Sequence, residues 1–344
     1  MATLAILLGV AIASLYFIYP GVLLDGLHRL AARAAGLEQR SVQVGDARMH
    51  YYEGGPNHKQ TLVLLHDLGD DKNTFVTAVR TLTPHYRVIL PDLPAHGANA
   101  FVDGEDYSLQ GQHRQLQQFF SAVTANRFVI GGHGLGGHLA SYFAQQEPQK
   151  IEGLILLGST GLQLTETTPY PLFPAQVDTN YFTAIYQTQY RNPPQYPQPV
   201  LQHKANQLNQ QIPFFNQVIT QLNRSQPFST DLRSVSSPIL VLVGDHDAEQ
   251  VTKLRDTLKI AKPDARFHLI QNAGQAPQLE APEAVAQTIA ALLATVFTEA
   301  QSFALKRDRF YFGAHTLASN RGDDCRPSNQ FAVVLIAFRA LAFS

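Results

Sequence analysis

The chain has 344 residues, 45% of them hydrophobic, which is enough to bury a large core, and α/β folds of roughly 200–250 residues commonly form one domain. Its 26 basic and 27 acidic residues nearly cancel, which excludes a whole-chain field favouring nucleic acid or an acidic polymer and leaves a small molecule or a membrane as the partner. The single cysteine, Cys325, excludes an intramolecular disulfide and a cysteine-based metal cage while leaving the redox compartment open.

Ala2 to Leu24 carries no charged residue, and its run of Ala, Leu, Ile, Val, Tyr and Phe is about as long as the roughly 20 residues a helix needs to cross a bilayer. A cleaved signal peptide and a buried helix are the alternatives. No Lys or Arg precedes the run, and it exceeds the usual h-region of about 7–15 residues, so a retained anchor over residues 1–24 fits better, with Tyr16 and Tyr19 as interfacial aromatics. Arg29, Arg33 and Arg40 all follow it, which favours a cytoplasmic body and leaves a periplasmic one open.

Asp25 to Leu37 reads as a short amphipathic helix. Ser41–Val44 and Arg48–Glu53 then alternate as a strand pair about Gly45-Asp46. Thr61–Leu65 is a continuous apolar run, suited to a parallel strand covered on both faces. Asp71–Leu82 predicts a helix, Val88–Leu90 a strand, and Ser108 caps a Gln-rich helix over Leu109–Val123. An apolar strand, Phe128–Ile130, runs into glycines and a helix-forming stretch, and Leu154–Leu157 adds a further strand. The βαβ series implies a doubly wound, mostly parallel sheet.

Over residues 162–237 the composition changes, with Gln, Asn, Pro, Tyr and Phe crowded together, as in Tyr186-Gln187-Thr188-Gln189-Tyr190 and Pro193-Pro194-Gln195-Tyr196-Pro197. Aromatic residues recur too often for a purely solvated linker, so an ordered helical insertion is expected. The core resumes at Pro238 with the strand Ile239–Val243, helices near Glu249–Ile260 and Glu283–Phe297, and the strand Arg266–Ile270 between them. Residues 299–344 mix a basic patch, turn-rich sequence and a last apolar run, Phe331–Phe343. They are compatible with a loose tail, a membrane-contacting helix or no selected structure.

Five segments in this order resemble the α/β-hydrolase superfamily, and most of all its membrane-anchored bacterial lipases and esterases. Leu62–Gly69 resembles the strand and H-G-x-x-G turn that supplies part of an oxyanion hole, and Val88–Gly97 the next strand with its P-D-x-P-G-x-G turn. Gly132-His133-Gly134-Leu135-Gly136 stands where the family has the nucleophile elbow G-x-S-x-G. Ile239–Asp247 resembles the strand ending in the triad acid, and Asn272–Glu283 the A-G-H-x-x-x-x-E-x-P-E segment that carries the general base. The resemblance implies an α/β-hydrolase fold over residues 41–298, a cap at 162–237, no cofactor or metal, and a small apolar or lipid-like ligand.

It also implies a triad at Gly134, Asp247 and Gln275, where only Asp247 has a suitable side chain. Glycine cannot attack, and a neutral amide cannot shuttle a proton near neutral pH. The N–H groups of Leu68 and Leu135 would form the oxyanion hole, beside which Asp67 replaces the family's glycine. That carboxylate either opposes negative charge there or turns to solvent or a turn. His66, His133 and His138 read more readily as packing residues than as a base or metal cluster. Ser141 lies too far along its helix, and Ser159 and Thr160 are the least implausible substitute nucleophiles. The leading expectation is a pseudohydrolase that binds a ligand or partner; the alternative is an active carboxylic-ester or lipid hydrolase with non-standard residues.

Overall fold

A computed structural model describes residue 14 and residues 16–45, 47–55, 60–124, 126–158, 169–224, 232–246 and 248–296. The chain divides into two units, Met1–Phe297 and Thr298–Ser344, and every described residue belongs to the first. The expectations for the tail, for Asp247, for Ser159 and Thr160, and for most of the N-terminal apolar run lie outside the described residues. Among the described residues, no helix is long and apolar enough to cross a membrane.

Eight strands form one sheet in the order β1-β2-β4-β3-β5-β6-β7-β8. Helix α1 (Pro20–Ala34) starts earlier than the polar pattern suggested, because Pro20 occupies the first helical turn, where its missing N–H needs no partner. Strands β1 (Leu37–Val44) and β2 (Ala47–Gly54) form an antiparallel hairpin, and β2 pairs antiparallel with β4 (Arg87–Pro91). The other neighbours, β4, β3 (Thr61–Leu65), β5 (Phe128–His133), β6 (Ile151–Leu157), β7 (Ile239–Gly244) and β8 (Arg266–Ile270), are all parallel.

Strand β3 shows why its sequence is apolar throughout. Val63 and Leu65 enter the core on one face of the sheet, and Leu62 and Leu64 the core on the other. The helix expected over Asp71–Leu82 is shorter: a 3₁₀ turn, Lys72–Phe75, capped by the Asp71 carboxylate, leads into the single α-turn α2 (Val76–Val79). Helix α3 (Leu109–Val123) begins at its Ser108 cap as expected. Helix α4 (Leu135–Gln146) follows the turn at Gly134.

The insertion between β6 and β7 contains two helices, α5 (Thr179–Gln189) and α6 (Gln198–Arg224). Helix α6 buries a stripe at helical spacing, including Leu201, Ala205, Leu208, Ile212, Phe215, Ile219 and Leu222. Beside that stripe runs a second series. Asn209, Asn216 and Asn223 recur every two turns, and each amide accepts from and donates to one residue of the non-helical strap before α5. Their partners are Val177 (2.8 and 2.9 Å), Phe173 (2.8 and 3.0 Å) and Tyr170 (2.9 and 2.9 Å). The strap has no strand partner, and these amides satisfy its main chain instead. Helices α7 (Ala248–Ala261), α8 (Pro277–Glu280) and α9 (282–296) complete the unit.

Candidate functional site

In open α/β sheets ligands bind beyond the carboxyl ends of the strands, where the chain switches from one side of the sheet to the other. Strand β3 lies between β4 and β5, so the loop after β3 and the turn after β5 meet at such a point. The turn requires glycine for two separate reasons. Gly134 has φ +52° and ψ −119°, a conformation L side chains rarely adopt. A Cβ on Gly132 would meet the main chain of Gly136, and one on Gly136 would meet Leu65, so the flanking glycines let strand and helix pass closely.

The loop after β3 is anchored from below. His66 donates from Nδ1 to the carbonyl of Asp67 (2.8 Å) and accepts at Nε2 from the N–H of Leu93 (2.8 Å), which makes it a structural cross-brace. Asp92, fully buried, accepts from the N–H groups of Lys72 and Ala98 (both 2.9 Å) and pairs with the Lys72 ammonium at 2.5 Å. A buried pair of this kind tolerates loss of neither partner, because the survivor would be left as a bare charge.

Asp67 occupies the centre of the site. Its Oδ1 accepts from the N–H of Leu68 and from the N–H of Leu135, each at 2.7 Å. The second donor opens helix α4, so the helix end favours the negative charge as well. Two N–H groups converging on one oxygen form the arrangement that stabilises an oxyanion, and here a carboxylate of the chain itself fills it. A Cβ on residue 134 would overlap that same carboxylate. Neither a turn to solvent nor simple proximity describes Asp67: it takes both donors.

His133 is held on the other side. Its Nε2 lies 2.9 Å from the carbonyl of Gln275, and since a carbonyl only accepts, Nε2 carries the proton. Nδ1 has no hydrogen-bond partner among the described residues and lies 3.8 Å from Oδ2 of Asp67. Residue 275 joins the site through its main chain, because its N–H also donates to Gln189 in the insertion at 2.7 Å. His138 faces the strap, with Nδ1 2.5 Å from the Tyr170 hydroxyl. Burial, aided by the Asp67 charge, raises the Tyr170 pKa well above its ordinary value. Ser141 bonds within its own helix, to Gly137 at 2.9 Å, and takes no part.

A second feature escaped the sequence reading. Asp70 accepts from the N–H of Asp71 at 2.9 Å, and burial, with the Asp71 charge adding, raises its pKa. In the insertion the rings of Tyr186 and Tyr190 meet at 5.5 Å and 86°, and those of Tyr186 and Tyr196 at 5.7 Å and 50°. Burial raises the pKa of all three tyrosines, and the charge of Asp70 raises each further. The only sequence signal was the aromatic crowding in 162–237.

The profile of the Alpha/beta hydrolase family matches residues 62–288. Among curated proteins the chain is similar to monoacylglycerol lipase ABHD6 of Homo sapiens, 22% identical over 315 residues that cover 86% of this chain and 93% of that one. It is also similar to Lipase 1 of Psychrobacter immobilis, 24% identical over 259 residues, 71% of this chain and 80% of the other. Among solved structures, a membrane phospholipase A, a bacterial virulence factor, superposes with a TM-score of 0.70 at 27% identity, covering 86% of this chain and 97% of that one. The eight-stranded, mostly parallel sheet, the glycine turn beyond β5 and the match over residues 62–288 agree, and the chain belongs to the alpha/beta hydrolase family.

Proposed function

We propose that the chain is a non-hydrolytic member of its family, which binds a lipid-like ligand in the cleft between sheet and insertion. One observation carries this reading: the Asp67 carboxylate accepts from both Leu68 and Leu135 in the space that a side chain at 134 would need. An acyl-transfer transition state would have to place its own negative oxygen on those donors, against a carboxylate already there. With glycine at 134 and an amide at 275, attack and proton transfer also lack their groups. The lipid-like ligand is carried over from the lipases to which the chain is similar.

The test is a serine-directed fluorophosphonate probe together with turnover of short activated esters and monoacylglycerols. Neither labelling nor turnover is expected. Labelling at a mapped serine, or turnover that persists after Gly134→Ala, would overturn the reading in favour of an ester or lipid hydrolase with substitute residues. What favours that second reading is His133, whose unpartnered Nδ1 faces the Asp67 carboxylate at 3.8 Å.

Membrane attachment through the N-terminal apolar run belongs to the same proposal. Phe17 and Ile18, just before α1, stay exposed at the end of that run, apolar surface that water disfavours. The full chain should fractionate with membranes. Removing residues 1–19, which leaves α1 whole, should release a folded protein, and retention in the pellet would refute the anchor.

A further inference from the structure

The two oxygens of the Asp67 carboxylate stand in different circumstances. Oδ1 accepts from the N–H groups of Leu68 and Leu135, each at 2.7 Å, which uses both of its lone pairs. Oδ2 accepts no hydrogen bond among the described residues, and unlike Nδ1 of His133 it is not sealed from solvent. That Nδ1, 3.8 Å away, is beyond hydrogen-bond reach, and among the described residues no Lys or Arg pairs with the carboxylate. The Asp67 side chain is 29% exposed. Its first oxygen therefore fixes the charge in place, and its second is left for whatever enters. The loop that carries it runs beside the insertion. Leu68 and Tyr170 of the strap pack against the same core cluster, and a Cβ on Gly69 would touch the ring of Phe173 at 3.4 Å.

We propose that Asp67 determines which lipid-like ligands the cleft accepts: it admits amphiphiles whose head donates hydrogen bonds, an ammonium before a hydroxyl, and rejects carboxylates. The inference rests on the cleft being a ligand site, and it names the chemistry of the ligand's head. Two converging N–H groups alone would select an anion. Here the chain supplies that anion itself, and the preference of the spot changes sign. What a ligand meets is one open acceptor oxygen and a negative charge. An alkylammonium answers both, through a charge-assisted hydrogen bond. A hydroxyl answers the acceptor alone. A carboxylate finds both N–H groups taken and stands beside a like charge, which is penalised. A neutral ester has only acceptors and gains nothing from Oδ2.

Decylamine, 1-decanol and decanoate share one alkyl chain length and differ in the head. Each would be titrated calorimetrically into the full chain, below micellar concentrations and at about pH 8, above the ordinary histidine range. Decylamine should bind at least about tenfold more tightly than decanoate, with decanol between them. Asp67→Asn keeps an amide oxygen for the two N–H groups and puts an NH₂ group in place of Oδ2, so the protein should stay folded while the preference for amine over acid falls by about tenfold. Asp67→Gly empties both N–H groups and should invert the order, decanoate then binding more tightly than decylamine. Equal affinities for the three amphiphiles, or an unchanged preference in folded Asp67→Asn, would overturn the proposal and leave the lipid cleft standing. Binding of none of the three, to the native chain or to Asp67→Gly, would refute the cleft itself and the inference with it.

Discussion

Asp67 and Gly134 share one volume, and that sharing decides what a substitution at either position does. Gly134→Ser must place a Cβ at positive φ, a strain of about 1–3 kcal/mol, and must also expel the carboxylate from two charge-assisted hydrogen bonds worth roughly 1.5–3 kcal/mol each before compensation by water. We expect a loss of about 2–4 kcal/mol in urea unfolding. In an Asp67→Gly background the same change should lose only about 1 kcal/mol, because the strain alone remains. Additive losses would show that Asp67 does not hold that space. Catalytically, Gly134→Ser and Gln275→His should each be silent, and their combination should stay near silent until Asp67→Gly empties the two donors, as measured by turnover of an activated ester. Both positions could be read in the sequence as departures from a motif. Where the Asp67 carboxylate points could not: that depends on two N–H groups, one adjacent and one from a turn far along the chain.

At the scale of elements, the asparagine series on α6 was hidden in the same way. The composition of 162–237 showed Gln and Asn crowding, but every Gln and Asn of a polar helix face looks alike until a second chain segment lies against it. Asn209, Asn216 and Asn223 differ from their neighbours only in their partners, the main chain at Val177, Phe173 and Tyr170. Asn216→Ala should leave the Phe173 N–H and carbonyl without their protein partner and destabilise by about 1–3 kcal/mol. Its sharper signature is local. Hydrogen exchange at Tyr170, Phe173 and Val177 should be slow in the native chain although the strap is not helical, and Asn216→Ala should speed exchange at Phe173 first. Strand β3 and helix α3, by contrast, were legible because burial on two faces and a serine cap are written locally. The helix expected over Asp71–Leu82 is too long by comparison: Asp71 does cap a turn, but the segment relaxes to 3₁₀ and one α-turn.

For the molecule as a whole, the buried histidines set the response to acid. His96 stacks on Phe215 at 5.0 Å, donates from Nδ1 to the Pro94 carbonyl at 2.8 Å, and leaves Nε2 buried without a partner. Burial, with His66 adding, pulls its pKa down to about 3, and burial lowers that of His113 as well. Between an ordinary histidine pKa of about 6.5 and that folded value the unfolded chain binds more protons than the native one. Stability is therefore complete above about pH 6.5 and is lost as pH falls through the window, at about 1.4 kcal/mol per pH unit for His96 alone. Asp70 acts in the opposite sense, since its raised folded pKa makes protonation favour the native state and offsets part of the loss. Urea unfolding from about pH 7 to about pH 4 should show the decline, and His96→Gln should flatten it by about one proton's slope. An unchanged slope would show that His96 already titrates normally.

The shared volume at Asp67 and Gly134 also has a history in it. A chain with glycine at 67 and serine at 134 and this chain differ at two positions, so two single-step routes join them. One passes through aspartate at 67 together with serine at 134, where a Cβ and a carboxylate contend for one place. The other passes through glycine at both, where nothing collides. The second route is therefore the less costly one: it takes the side chain from position 134 before position 67 gains a carboxylate, and the return to serine is least costly once the aspartate has gone.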